Sequence, residues 1–228
     1  MIMHVLLFDI DGTLIRSGGA GKAAMEDALR SEFAVREIVD EVPFSGRTDP
    51  AISHDLLTLH GIEPTPGNID RLREAYLGHL PNLLGKFDGI VLPGIAELLE
   101  RLAASPSVIL GLLTGNVKAG AHCKLTHFGL WHYFPFGAFA DGIHERDDIA
   151  RAALPEIASH IGRDVPRENI WVIGDTPFDV KCARAIGAKA IAVATGWHSI
   201  EELHACGADV VLHDFSAVEE LLRTWGVD

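Results

Sequence analysis

Cysteine is scarce in this 228-residue chain: Cys123, Cys182 and Cys206 are the whole complement. The count is odd and no CxxC pair occurs, so neither a disulfide framework nor a cysteine zinc site is expected. The thiols read as reduced core residues in a reducing compartment. Cations are also short, with 19 Lys and Arg against 32 Asp and Glu and a formal net charge of −13. Such a surface repels nucleic acid and anionic membranes overall, while leaving room for a small cationic pocket. No apolar run reaches 18 residues, so no spanning helix is expected. The opening "MHVLLF" follows no basic segment and turns acidic at once. It does not read as a signal peptide, and a cytoplasmic location is expected. Internal repeats and low-complexity tracts are missing too.

What the chain has is apolar residues, 48% of the total, enough for one large core or a core with an insert. Val5–Phe8 is a short buried-type run. From Arg16 to about Lys86 the periodicity is helical throughout, with helices expected near Lys22–Arg36, Pro50–His60 and Asn68–Leu84. After "LPG" (Leu92–Gly94) the pattern alternates. Helices are expected at Ile95–Ala104, Lys118–Phe128, Asp148–Ile161, Phe178–Ile186, Ser199–Cys206 and Ser216–Trp225. Strands are expected at Val108–Leu113, Phe136–Ala140, Ile170–Ile173, Ala190–Ala194 and Val210–Leu212. Alternation of this kind predicts an α/β fold: a doubly wound, mostly parallel Rossmann-like sheet with an inserted all-helical domain. The expected division is residues 1–15 and 87–228 as core and 16–86 as insert. Right-handed crossovers bring every strand's C-terminal end to one edge, where such sheets bind ligands.

Three of these strands end in reactive residues. "VLLFDIDGTL" ends in Asp9 and Asp11, "VILGLLTGN" in Thr114, Gly115 and Asn116, and "IWVIGDTPFD" in Asp175, with Asp179 beyond. Residues two apart in an extended chain face one side, so Asp9 and Asp11 can share a site. Asp-Gly alone is a common turn pair. Acids gathered at several strand ends would repel, however, and one would have to stay protonated. A hard cation such as Mg²⁺ removes that difficulty and accepts carboxylate and carbonyl oxygens.

In order, "DIDGT", "LLTGN" and "GDTPFD" resemble the first, second and fourth motifs of the haloacid dehalogenase superfamily. The match is to its phosphatases with a helical cap after the first motif. "FSGRTDPAI" is similar to the cap loop of phosphoglycolate phosphatase-like members. The resemblance implies that Asp9 is a nucleophile forming an aspartyl-phosphate. Asp11 would protonate the leaving oxygen and then activate water, and Thr114 would bond the phosphoryl group. Asp175 would bind Mg²⁺ with Asp9 and the carbonyl of Asp11, and Asp179 would support that shell. Thr13, Arg47, Gly115 and Asn116 are the candidate substrate-binding residues, the substrate being a small phosphorylated metabolite.

The family's third motif is usually a Lys, yet Asp141–Ala150, "DGIHERDDIA", has none. Arg146 is the nearest cation and is expected in that role; its two-donor grip differs from a lysine's point charge. Lys118 and Lys124 are the runners-up for that role, but are expected on an exposed helix face. The twelve histidines contain no HExxH, and His122, His127 and His132, five apart, read as structural. The aromatic "GLWHYFPFGAF" reads as a packed link into a strand. A phosphosugar mutase and a non-catalytic phosphate sensor remain alternatives. A dehalogenase is disfavoured, because halide release needs neither Asp11 nor Mg²⁺. Neither the substrate nor the oligomeric state is written in these motifs.

Overall fold

A computed structural model describes residues 3–227. In chain order its elements are β1 (His4–Phe8), β2 (Ile15–Arg16), α1 (Ala20–Phe33), α2 (Asp49–Leu59), α3 (Pro66–Leu84), β3 (Ile90–Val91), α4 (Ile95–Ala104), β4 (Val108–Leu113), α5 (Lys118–His127), β5 (Gly137–Ala138), α6 (Arg146–Ile161), β6 (Ile170–Gly174), α7 (Pro177–Ala185), β7 (Lys189–Val193), α8 (Ile200–Ala205), β8 (Val210–Leu212) and α9 (Glu219–Thr224).

Six strands form one sheet in the order β5-β4-β1-β6-β7-β8, and every pairing is parallel. The β1 strand is buried on both faces, which is why its sequence is a continuous apolar run rather than an alternating one. Leu6 and Phe8 join an apolar cluster with α4, α5 and α9, whereas Val5 and Leu7 join a second with α6, α7 and α8. The sheet is therefore filled from both sides. Strand order reverses at β1, between β4 and β6. The crevice beyond that point receives the ends of all three motif-bearing strands.

Helices α1, α2 and α3 share a third cluster, built on Ala24, Leu29, Leu56, Leu72, Tyr76 and Leu80. Local signals set their starts: Thr48 and Thr65 cap α2 and α3 through side-chain oxygens, each with a proline in the first turn. The chain leaves and re-enters the sheet region through β2 and β3, which pair antiparallel, Ile15 opposite Val91 and Arg16 opposite Ile90. This ribbon lay outside the expected elements. The strand expected over Phe136–Ala140 is reduced to β5, and the closing helix to Glu219–Thr224. The aromatic link before β5 is packed as expected, with Leu130 and Phe134 buried.

Where the chain returns to the core, Gly94 has φ +79°, and an added Cβ would overlap the backbone carbonyl of Phe215. Left-handed backbone costs a non-glycine residue about 1–2 kcal/mol, and backbone cannot step aside as a side chain can. Gly94→Ala should therefore lower the unfolding free energy by about 2 kcal/mol or more, read as a lower urea midpoint at unchanged m-value.

Candidate active site

The strand ends converge as the topology requires. Asp9 follows β1, is 5% exposed, and donates its N–H to the carbonyl of Ile173 in β6. Asp175 follows β6 and is 2% exposed; its Oδ1 accepts the Thr13 hydroxyl at 3.2 Å. Side-chain oxygens of Asp9, Asp175 and Asp179 all lie within 4.8 Å of one another. Gly12 and Gly196 border Asp175 so closely that a Cβ on either would overlap its carboxylate.

Arg146 opens α6 and is buried. Its Nη2 lies 2.9 Å from Asp9 Oδ2 and also donates to Asp179. A cation at a helix N-terminus opposes the helix dipole; here two carboxylates offset that cost. Asp179 has a further task. Its Oδ2 accepts the N–H of Thr176 at 2.9 Å and the Thr176 hydroxyl at 2.7 Å, closing a capping box at the start of α7. With both oxygens engaged, Asp179 supports the site rather than facing into it.

Burial raises the pKa of Asp9, with Asp179 adding to the effect and Arg146 opposing it. Burial, then Asp179 and Asp9, push Asp175 well above the usual carboxylate range. Carboxylates so crowded fit a hard divalent cation held by Asp9, Asp175 and a backbone carbonyl.

Thr114 follows β4, is fully buried, and accepts the Asn116 amide at 2.9 Å. Asn116 also donates to Asp11 Oδ2 at 3.0 Å. The carbonyl of Gly115 accepts the Asp49 N–H at 2.8 Å. Arg47 lines the cavity, but its Nη2 pairs with Asp55 at 2.7 Å and its Nη1 with the Pro43 carbonyl. Of the site residues expected from the sequence, all but Thr13, Thr114 and Asp179 border one cavity of about 510 Å³, closed on the helical side by Met25, Ile52 and Tyr76.

Lys124 corrects an expectation. It is 5% exposed, not on an open face, and its Nζ lies 2.5 Å from Asp11 Oδ2 and 2.6 Å from Asn116 Oδ1. The buried residues of α5 are Gly120, Ala121, Lys124 and Leu125. Helical spacing from the two small residues thus marks Lys124 as inward. Lys118, by contrast, is exposed as expected; His122, His127 and His132 are exposed too. Sequence reasoning also missed Asp49, whose Oδ2 accepts the Val117 N–H at 2.8 Å.

The haloacid dehalogenase-like hydrolase family model matches residues 6–193, and the chain belongs to that family. It is similar to a phosphoglycolate phosphatase of Rhodobacter capsulatus, 27% identical over 222 residues that cover 96% of this chain and 97% of that one. The probable phosphatase IndB of Dickeya dadantii is 28% identical, over 94% of this chain and 91% of its own. Among solved structures, CbbY from Rhodobacter sphaeroides in complex with phosphate has the same fold, with a TM-score of 0.76 at 21% identity, covering 96% of this chain and 97% of that one.

Asp49 generates a test of the electrostatics. Burial raises its pKa from 3.8 to about 6, with Lys124 opposing and Asp11 adding. A carboxyl that binds its proton more tightly when folded stabilises the fold below the unfolded pKa, and loses that contribution as pH rises through the folded one. Asp49→Asn should remove this contribution. The stability difference between variant and wild type should change between about pH 4 and pH 6, in the variant's favour as pH rises; urea melts across that window measure it.

Proposed function

We propose that this chain is a Mg²⁺-dependent phosphoric monoester hydrolase acting on a small phosphorylated metabolite through an aspartyl-phosphate on Asp9. One observation carries the reading: buried Asp9 and Asp175 side by side on a cavity floor, with Arg146 behind them. In this reading an Asp9 oxygen forms a bond to phosphorus as the bond to the leaving alcohol breaks. Asp11 gives its proton to the departing oxygen, then takes one from the water that cleaves the acyl phosphate. The Thr114 hydroxyl and neighbouring N–H groups hold the phosphoryl oxygens, whose charge is most in need of donors at the transition state. Mg²⁺, held by Asp9, Asp175 and the carbonyl of Asp11, would neutralise phosphoryl charge. Arg146 takes the place of the usual lysine, and its contact with Asp9 supports that.

Residues 16–86 act as a cap over a core of 1–15 and 87–228, supported by the separate apolar cluster of α1–α3. Phosphoglycolate is the first substrate to try, since a relative covering nearly the whole chain carries that name. A cytoplasmic location goes with this reading; among the described residues no helix is long and apolar enough to cross a membrane.

Asp9→Asn keeps the shape but removes the nucleophile. Phosphate release should fall by about 10³-fold or more, and the wild-type rate should vanish in EDTA and return with Mg²⁺. Near-normal release by the purified variant, or release indifferent to Mg²⁺, contradicts the assignment.

Arg47 lines the cavity, its guanidinium bonded to Asp55 and to the Pro43 carbonyl of its own loop. Arg47→Ala should lower kcat/KM by about tenfold, equivalent to about 1.4 kcal/mol, for a metabolite that reaches the helices. The effect should be far smaller for acetyl phosphate, because binding to a substrate's remote part does not help a substrate that lacks it. Equal losses on both would remove Arg47 from substrate recognition.

A further inference from the structure

Lys124 has no part in the chemistry just described, yet its surroundings are those of a site. Lysine is rarely buried unless paired, and here the ammonium has two acceptors, Asp11 Oδ2 and Asn116 Oδ1. Asn116 returns a bond from its amide to the same Asp11 oxygen, at 3.0 Å. Asp11, Asn116 and Lys124 thus close a three-membered ring of hydrogen bonds, fixed at its far side by the Thr114 hydroxyl. The Asp11 side chain itself is 41% exposed and faces the cavity. Without the ring it would be a short carboxylate at a loop, free to change rotamer.

The ring also meets the helical segment. Gly21 of α1 faces the Lys124 ammonium, and an added Cβ would lie 3.5 Å from Nζ. Asp49 of α2 adds its negative charge nearby, and both Asp11 and Asp49 raise the Lys124 pKa against the pull of burial. Lys124 is therefore held as a cation at the junction of core and helices.

We propose that Lys124 is a positioning residue for Asp11: through the ring with Asn116 it holds the Asp11 carboxyl where the leaving oxygen and the attacking water are to be met. The proposal rests on the phosphatase reading above. A fixed carboxyl spends none of the reaction's driving force on orientation, and misplacement by an ångström can cost about 10²-fold.

A double-mutant cycle separates positioning from plain structural support. Its probe is p-nitrophenyl phosphate, reactive enough to give measurable rates without Asp11, with glycerol 2-phosphate as the demanding substrate. Lys124→Met should lower kcat/KM for glycerol 2-phosphate by about 30-fold or more with KM little changed. On p-nitrophenyl phosphate the same substitution should cost about tenfold in the wild-type background and less than about threefold in an Asp11→Ala background, since a residue acting through Asp11 has nothing left to position. Lys124→Gln keeps a donor and should recover part of the loss, and it carries the test if the Met variant does not fold. Losses that multiply in the double variant, or Lys124→Met at wild-type kcat/KM, overturn the proposal. Wild type without phosphate release, or Asp11→Ala as active as wild type, overturns instead the phosphatase reading on which it rests.

Discussion

Arg146 answers to two buried carboxylates at once, and the site depends on that fork. A parallel sheet collects its strand ends at one edge, so this chain's acids arrive together whether or not they are welcome. Asp9 comes from β1, Asp175 from β6, and Asp179 from the first turn of α7. Removed from water, such a group is costly unless charge of the other sign is present. Arg146 supplies it from α6, an element that otherwise only covers the sheet. Because Asp179 is also the reciprocal cap of α7, the guanidinium ties the start of two helices to the end of one strand. Truncating one partner of a buried pair typically costs about 3–5 kcal/mol, so charge balance and fold are inseparable here.

Much of this was legible in the sequence, for physical reasons. A strand buried on both faces writes itself as an unbroken apolar run, so β1, β4 and β6 could be read, and with them the residues at their ends. Helix α4 fell on its expected bounds, Ile95–Ala104, because its apolar spacing is regular and Gly94 precedes it. The ribbon of β2 and β3 was not readable: two residues per strand contain no period, and partners as distant in sequence as Ile15 and Val91 leave no local mark. Lys124 was misread because lysine is usually solvated and its partner Asp11 is 113 residues away. Its spacing from Gly120 and Ala121 was the available clue. Arg47 was read by analogy of its loop; that its guanidinium rests on Asp55 is a tertiary fact no local pattern contains.

The helical segment and the core also meet through main chain. The Asp49 N–H reaches the Gly115 carbonyl, the Asp49 carboxylate the Val117 N–H, and the Thr48 hydroxyl the His144 carbonyl. Each of these core partners lies in a loop beyond a strand end, next to the groups that would handle phosphate. The start of α2 is therefore a wall of the cavity, and its register is set by these hydrogen bonds together with a close approach at Gly115, where an added Cβ would overlap the Arg47 carbonyl.

The paired β2 and β3 strands have a consequence for how such a chain could be assembled. Hydrogen-bonded strands run about 4.8 Å apart, so the chain between Arg16 and Ile90 leaves and re-enters the sheet region at two adjacent points. To the sheet, this excursion is equivalent to a hairpin loop. Loop closure grows only slowly with length, and a segment with its own apolar cluster orders itself. Helices of other length could therefore be accommodated between these two points without disturbing the strand order, provided the start of α2 keeps its bonds to Gly115, Val117 and His144. The two zipped strands are a socket that fixes where the helical segment joins the chain, while the contacts of α1 and α2 with Lys124, Gly115, Val117 and His144 tie that segment to the chemistry beneath.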